Sequence, residues 1–235
     1  MSKARLEAHA DALRDAVSTS LNGSSGLTDA GVAPHPLVVK HCCWQGEKVH
    51  PDFYDRPVLD LARALIGCTL LVDGVGGTIV ETEAYHAGDA ASHSFAGPTP
   101  RNRAMWGGAG HAYVYRIYGI HWCLNIVGGA EAGAAVLLRA LAPKHGLDAM
   151  RARRGTADER QLCSGPGKLC QALGVTAALD GTPLDAAPFV LLPRPADPPL
   201  VHGPRIGITK AAAEPWRVGL AGSPFLSRPF PPLVR

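Results

Sequence analysis

Two pairs of strand-like segments, each joined by a short turn, limit how this chain can fold. Each pair consists of apolar segments around a turn that contains glycine: residues 68–72 and 78–85 around 73–77, and residues 112–118 and 121–127 around 119–120. Turns this short join antiparallel strands, because a parallel crossover needs a dozen or more residues. We therefore predict an α+β fold in which a largely antiparallel sheet is flanked by helices.

Other segments carry helical or extended patterns. We predict helices over residues 58–65, 147–154 and 166–173, with Gly67 ending the first and Ser164 to Pro166 capping the last. We predict further strands over residues 134–141, ended by Pro143, and at about residues 189–192, 205–209 and 216–220. Residues 86–111 are a long polar loop, and a loop of that length inside a domain is usually functional or mobile.

The size and composition of the chain fit one globular domain with an extension. Of its 235 residues, 46% are hydrophobic and 18% are charged, which is too apolar for a disordered chain. Residues 1–50 include a stretch rich in serine, glycine and threonine, so we expect a flexible N-terminal extension before a single compact domain over residues 51–235. The sequence lacks an uncharged apolar run of about 18 residues, so we expect no membrane span.

Cysteine and histidine usage gives no sign of a metal site. None of the 6 cysteines forms a C-x-x-C pair, and neither zinc-finger spacing nor an H-E-x-x-H motif occurs. Cys68, Cys123 and Cys170 have apolar neighbours, and we expect them to be small buried side chains. We therefore expect no metal and no cofactor, and a cytoplasmic protein.

Charge is distributed unevenly along the chain, although the net charge is only +3. Residues 51–100 carry two basic and seven acidic residues, net −5, and residues 101–154 carry eight basic and two acidic residues, net +6. The pattern either brings a carboxylate next to a phosphate-binding surface or is a chance fluctuation in short segments.

Two glutamates on the second predicted strand are candidates for acid–base chemistry. Glu81 and Glu83 lie two residues apart, so their side chains point to the same face of the strand, and Tyr85 shares that face. The group could be a general-base site with an aromatic wall. The alternative is a solvated strand face that carries two surface acids.

An unusual aromatic residue lies next to the turn of the second strand pair. A side chain at a hairpin tip is usually exposed, and an exposed ring such as Tyr118 gains nothing unless it meets a partner. Tyr118 could insert into a stack of bases, or it could pack against a neighbouring loop. Arg101, Arg103 and Arg116 lie nearby in sequence and either neutralise phosphates or are solvated surface charges.

Five other polar residues have both a functional and an ordinary interpretation. Asn125 and Arg139 lie in apolar strands, where they are either sheet-edge residues or buried groups with a hydrogen-bond partner. His93 is either a turn residue or a pocket contact. Lys168 follows a helix start, where anions are favoured, and Ser223 belongs to what could be a plain turn.

Seven sequence blocks, in order, resemble the alkyladenine (3-methyladenine) DNA glycosylase family of the compact mixed α/β kind. They are IVETEAY at 79–85, ASHS at 91–94, TPRNR at 99–103, YVYRIYG at 113–119, CLNI at 123–126, VLLRAL at 136–141 and LCSGPGKLCQAL at 162–173. The resemblance covers about residues 52–227 and leaves residues 1–50 outside it.

The resemblance implies a monomeric, monofunctional enzyme that flips alkylated or deaminated purines out of double-stranded DNA and hydrolyses the glycosidic bond. It also implies association with the nucleoid if the source is bacterial. The fold that it implies has a curved sheet and a protruding hairpin that inserts into DNA. It implies Glu83 as the catalytic base that activates water, and Tyr118 as the residue that fills the gap in the duplex. The implied base pocket consists of Tyr85, His93, Tyr115, Asn125 and Arg139. The candidate contacts to the DNA backbone are Arg101, Arg103, Arg116, Lys168 and Ser223.

Two other functions remain open at this point. A non-enzymatic nucleic-acid-binding module could keep the fold, but it would have no need of Glu83. An enzyme acting on free nucleosides would have no need of Tyr118, because a free nucleoside leaves no gap to fill. The segment 127–133 is one residue longer than the family pattern leads us to expect, which leaves the preferred base undecided among 3-methyladenine, 7-methylguanine, hypoxanthine and ethenoadenine.

Overall fold

The computed structural model describes residues 47–231. This part of the chain contains eight strands and four α-helices. The strands are β1 (Thr69–Val72), β2 (Val75–Tyr85), β3 (Ala112–Ile117), β4 (His121–Val127), β5 (Ala135–His145), β6 (Phe189–Leu192), β7 (Leu200–Gly203) and β8 (Arg217–Leu220). The α-helices are α1 (Val58–Leu65), α2 (Leu147–Arg154), α3 (Glu159–Leu162) and α4 (Pro166–Leu173). Three short 3-10 helices lie at Pro51–Phe53, Arg103–Trp106 and Ala177–Leu179.

All the strands belong to one sheet, and every pairing in it is antiparallel. The main order is β3-β4-β5-β2-β1-β6. The first part of β2 pairs with β1, its last part pairs with β8, and β5 pairs with it along most of its length. The mixed composition and the antiparallel sheet confirm the predicted α+β fold. The second half of β2, which carries both candidate glutamates, therefore lies inside the sheet.

Both predicted strand pairs form, and residues in the left-handed conformation make their turns. Between β1 and β2 the turn consists of Asp73 and Gly74 alone, with φ of 49° and 76°, which is the signature of a tight hairpin turn. The turn is therefore shorter than the predicted 73–77. Between β3 and β4, Tyr118 and Gly119 have φ of 53° and 69°, and the Tyr118 side chain is 81% exposed.

Helices α1 and α4 cover the sheet with their apolar sides. Val58, Leu61, Ala62 and Leu65 recur at helical spacing on α1, and all are buried in the main core. The loop after β4 packs closely against this helix, because a Cβ on Gly128 would lie 2.3 Å from the Leu61 side chain. On α4 the buried residues are Leu169, Cys170, Ala172 and Leu173.

Pro143 does not end the strand before it. β5 continues through Pro143 to His145, although proline has no backbone N–H to donate. Pro143 stands opposite Gly77 next to a register shift, and irregular pairings of this kind are where sheets accept proline. A Cβ on Gly77 would lie 2.0 Å from the Ala142 carbonyl oxygen, so glycine is required at this close approach.

Two further expectations from the sequence are wrong. Residues 205–209 form no strand, and the strand in this region is β7, Leu200–Gly203. The backbone N–H of Ile206 instead bonds a side chain, as described below. Ser164 does not cap α4, whose N-cap is Gly165 without a side-chain bond, because Ser164 forms a bridge with Ala140 of β5.

The described chain joins the core from Val49 onwards. Val49 is buried, and its N–H donates to the carbonyl oxygen of Leu191 at 3.1 Å. Most of the predicted N-terminal extension, residues 1–46, lies outside the described residues. Within residues 47–231, the four cysteines are free and buried, as predicted for three of them. In the same range no helix has the length and apolarity needed to cross a bilayer.

Candidate active site

A cavity of about 690 Å³ opens beside the inner strands of the sheet. Its volume is in the range of typical small-ligand pockets. Eight of the predicted functional residues meet in its lining. They are Glu83, Tyr85, His93, Tyr115, Tyr118, Asn125, Arg139 and Lys168. Strands β2, β3, β4 and β5 and the start of α4 supply most of them, so residues up to 85 positions apart in the chain surround one space.

Glu83 is fully buried in the protein and lines this cavity. One carboxylate oxygen, Oε1, accepts a hydrogen bond from the Ile206 N–H at 2.7 Å. The other, Oε2, accepts from the Tyr85 hydroxyl at 2.8 Å and from Arg139 Nη1 at 3.2 Å. The alternative of a solvated strand face is therefore wrong for Glu83, which is a buried carboxylate held in one orientation.

Glu81 is equally buried but serves another set of partners. It accepts hydrogen bonds from Arg139 Nε at 3.0 Å, from Arg217 Nε at 2.8 Å and from the Ser227 hydroxyl at 2.7 Å. Glu81 and Glu83 thus reach the same guanidinium, as expected for residues two apart on a strand. Glu81 is absent from the cavity lining, so the two acids are not equivalent.

Arg139 joins the two glutamates and is itself buried. Burial alone lowers the pKa of an arginine, but the charges of Glu83 and Glu81 outweigh it and raise the pKa of Arg139 above its ordinary value. Arg139 Nη2 also donates to the Ser227 hydroxyl at 3.3 Å. The interpretation of Arg139 as a buried group with assigned partners is correct, and its positive charge is permanent.

Aromatic rings form one wall of the cavity. The ring centroids of His93 and Tyr115 are 4.5 Å apart at an interplanar angle of 74°, and Tyr115 stacks on Tyr113 at 5.3 Å. His93 Nδ1 and the Tyr113 hydroxyl lie 2.8 Å apart. Partial burial and the nearby charge of Arg101 lower the pKa of His93, which favours the neutral imidazole at neutral pH. Burial raises the pKa values of Tyr85 and Tyr115, so both phenols keep their protons.

Asn125 is a buried residue with a fixed side chain. It lies in β4 between Tyr113 of β3 and Leu137 of β5, so it is not at a sheet edge. Its Nδ2 donates to the Tyr113 carbonyl oxygen at 3.0 Å, which fixes the orientation of the amide. The side chain therefore presents a defined polar group to the cavity.

The candidate DNA-backbone residues are spread over four places. Lys168 lines the cavity and bonds Gln161 Oε1 at 2.5 Å. Arg101 and Arg116 lie at the hairpin, where Arg101 Nη2 donates to the Arg116 carbonyl oxygen at 3.1 Å. Arg103 is exposed on a 3-10 helix, and Ser223 belongs to a tail turn in which its hydroxyl accepts from the Phe225 N–H at 3.3 Å. Of these five residues, the structure brings only Lys168 into the cavity lining.

The sequence did not reveal the residues that hold Glu83, its donors and Glu81 in place. Arg205 is buried, forms an ion pair with Asp89 and stacks on Tyr85, and the next residue, Ile206, supplies the amide that bonds Glu83. Asp89 and Arg205 are 116 positions apart, so no local pattern could pair them. Ser227 and Arg217 were missed for the same reason, because their partner Glu81 is 146 and 136 positions away.

The arrangement is suited to orienting water and a flat ring next to one fixed carboxylate. Glu83 keeps a defined direction, the aromatic wall offers stacking surface, and Asn125 and His93 offer polar contacts. Among residues 47–231, no three His, Cys, Asp or Glu side chains group in a way that could hold a metal ion.

The chain is similar to a known protein family and to named relatives. The profile of the family described as methylpurine-DNA glycosylase (MPG) matches residues 52–224. A protein of Rhodopseudomonas palustris (strain ATCC BAA-98 / CGA009) is 62% identical over 180 residues, which are 76% of this chain and 87% of that protein. A protein of Nitrosospira multiformis is 64% identical over 174 residues, 73% of this chain and 90% of that protein. Both relatives are provisionally named 3-methyladenine DNA glycosylases. The chain therefore belongs to the methylpurine-DNA glycosylase family, as its sequence motifs predicted.

Proposed function

We propose that the protein is a monofunctional base-excision-repair glycosylase that removes alkylated or deaminated purines from double-stranded DNA. The observation that carries the proposal is the buried Glu83 carboxylate, held by three donors at the side of an aromatic cavity. The substrate class is 3-methyladenine, 7-methylguanine, hypoxanthine and ethenoadenine, and the product is an abasic site. The names of the relatives support the first of these bases.

The reaction replaces the bond between the sugar and the base by a bond to water. The damaged nucleotide leaves the stack, since its glycosidic bond cannot be reached inside the duplex. The bond between C1′ and the base nitrogen breaks, and its electron pair leaves with the base. The oxygen of water bonds to C1′ and gives a proton to Glu83, which acts as general base. The anionic carboxylate also stabilises the positive charge that develops on the sugar.

The remaining cavity residues bind the flipped base. Tyr85 and Tyr115 are its stacking walls, and His93 hydrogen-bonds it from the opposite side. A methylated adenine is cationic, so it gains a cation–π attraction on a tyrosine ring that a normal purine lacks. Asn125 faces the position of the guanine amino group and selects against it, and Arg139 binds near the phosphate at the base of the site.

Tyr118 fills the gap that the flipped nucleotide leaves in the duplex. Its exposed ring at the hairpin turn supports this role, because packing against a neighbouring loop would have covered it. Arg101, Arg103, Arg116, Lys168 and Ser223 contact the DNA backbone. The protein acts on duplex DNA as a monomer.

The test is excision from duplexes that each hold one damaged base. The protein is incubated with DNA containing 3-methyladenine, 7-methylguanine, hypoxanthine or ethenoadenine, and alkali then cleaves any abasic site. We expect cleavage with at least one base, and a loss of about 100-fold or more in Glu83→Gln, the range of a general base.

A matched variant controls for the loss of a glutamate. Glu131 is exposed in the loop before β5, and we expect Glu131→Gln to retain full activity. Binding of damaged DNA by the folded protein without cleavage of any base would instead support the non-enzymatic module. Full activity in Glu83→Gln would refute the assignment of the base.

A further inference from the structure

Arg205 is a buried arginine that connects four parts of the chain around the candidate active site. Its side chain is fully buried and forms an ion pair with the equally buried Asp89. Arg205 Nη1 also donates to the carbonyl oxygen of Ala84 at 2.9 Å. Ala84 lies between Glu83 and Tyr85 in β2. Its guanidinium carbon lies 4.6 Å from the centroid of the Tyr85 ring and 4.9 Å from that of Trp216.

These contacts fix two of the three groups that donate to Glu83. The Tyr85 ring under the guanidinium carries the hydroxyl that donates to Glu83 Oε2 at 2.8 Å. Ile206, the residue next to Arg205, donates its N–H to Glu83 Oε1 at 2.7 Å. Arg205 itself does not line the cavity. Each oxygen of the carboxylate is therefore held by a donor whose position depends on Arg205.

We propose that Arg205, anchored by Asp89, is a positioning residue for Glu83. It holds the Ile206 amide and the Tyr85 ring so that the carboxylate keeps the direction needed to activate water. The proposal rests on the function proposed above for Glu83, and it adds two residues that contact neither the carboxylate nor the cavity.

The chemistry of arginine explains why this position suits it. A planar guanidinium can stack on aromatic rings and donate in its plane at the same time, which a lysine ammonium cannot do. Arg205 uses its plane for Ala84 and Asp89 and its faces for Tyr85 and Trp216. Burial of the pair also excludes water that would compete for these bonds. A displacement of about 1 Å in a catalytic group can cost about 100-fold in rate.

The experiment separates rate from DNA binding in two variants. Arg205→Lys keeps the charge opposite Asp89 but loses the planar geometry. The double variant Asp89→Asn with Arg205→Met removes both charges, so it leaves no unpaired buried ion if the single variant does not fold. We expect the single-turnover excision rate to fall about tenfold in the first and about 100-fold in the second. The affinity for duplex DNA with an abasic site should change less than about threefold.

Arg194 offers a matched control. It also donates to two backbone carbonyl oxygens, of Arg63 and Ile66, and pairs with Asp197. It is absent from the cavity lining, and these bonds do not reach Glu83 or its donors. We expect Arg194→Met to keep the excision rate within about twofold. A rate loss in Arg205→Lys no larger than that in Arg194→Met would overturn the proposal.

Hydrogen exchange at the Ile206 amide gives a readout that does not depend on activity. We expect the amide to be protected in the unmodified protein and to exchange faster in both Arg205 variants, with the sheet amides unchanged. Unchanged protection of Ile206 would overturn the positioning role. If the unmodified protein excised no base, the proposed function would fail, and the exchange data alone would decide whether Arg205 holds the Ile206 amide.

Discussion

Asn125 is a single polar side chain in an apolar strand, and its fixed amide makes it a candidate for base selection. The bond from its Nδ2 to the Tyr113 carbonyl oxygen keeps the amide against the cavity. We predict that Asn125→Ala raises excision of 7-methylguanine relative to hypoxanthine by about tenfold, because a smaller side chain leaves room for the guanine amino group. Parallel single-turnover rates on the two duplexes measure the ratio. An unchanged ratio would contradict the role of Asn125.

Asp89 allows a prediction about acid stability. Burial opposes ionisation of Asp89, but the hydrogen bonds and charge of Arg205 outweigh it and keep the pKa below its ordinary 3.8. A carboxylate with a lowered folded-state pKa stabilises the fold fully above its unfolded-state pKa and loses that effect as pH falls through the folded-state pKa. We therefore predict a constant stability difference between the unmodified protein and Asp89→Asn at neutral pH, and a smaller difference below about pH 4.

Urea unfolding at a series of pH values from about 7 to 3 measures this difference. A gap that stays constant over the whole range would show that the pKa of Asp89 does not change on folding. A gap that widens as the pH falls would show a raised rather than a lowered pKa.

At the scale of helices and strands, local signals predicted much of the fold. Glycine turns and alternating apolar residues sufficed for β1 to β4, and helical spacing sufficed for α1 and α2. The errors lie where tertiary contacts override local preference. β5 passes through Pro143 because Gly77 permits an irregular pairing, and residues 205–209 leave the sheet because Arg205 and Ile206 bond Asp89 and Glu83 instead of a neighbouring strand.

The turn of the β3–β4 hairpin has a conformational cost, because a residue other than glycine adopts a left-handed conformation there. Tyr118 has φ of 53°, a left-handed conformation that costs a residue other than glycine roughly 1–2 kcal/mol. Glycine removes that cost and loses about 0.5–1 kcal/mol through the entropy of the unfolded chain. We therefore predict that Tyr118→Gly folds with equal stability or a gain of up to about 1.5 kcal/mol, while its excision rate falls.

Thermal unfolding and single-turnover excision measure the two effects. Tyr118→Phe keeps the ring, so we expect it to retain both the stability and the rate of the unmodified protein. A Tyr118→Gly variant with unchanged excision would refute the role of Tyr118 in the duplex. A large loss of stability in that variant would show that the ring supports the hairpin.

At the scale of the whole molecule, three acids of the acidic block are buried against arginines from later parts of the chain. Glu81, Glu83 and Asp89 are three of the seven acids in residues 51–100, and all three are buried against arginines. Two of those arginines, Arg205 and Arg217, come from the last part of the chain. The sequence could indicate which residues carry the chemistry, because motifs are local. It could not indicate their supports, because those contacts form only when distant segments fold together.

Internal pairing of these acids leaves exposed and half-exposed basic residues free to meet DNA. Lys168 lines the cavity beside the hairpin. Each phosphate that a protein neutralises changes the slope of log affinity against log salt concentration by about one. We predict that Lys168→Gln lowers the magnitude of the slope of log affinity against log salt concentration by about one. Titrations of labelled duplex DNA at several salt concentrations measure that slope.

Lys144 provides the comparison that makes the salt experiment specific. It is an exposed lysine near the end of β5. It lies five residues beyond Arg139 in the same strand, which places its Cα roughly 17 Å from the Cα of Arg139 in the cavity lining. Loss of either lysine lowers the net charge of the protein equally, so a long-range effect of charge would change both variants alike. A contact with a phosphate changes only Lys168→Gln. Equal slopes in the two variants would therefore mean that the basic block attracts DNA as a whole, without a phosphate bound at Lys168.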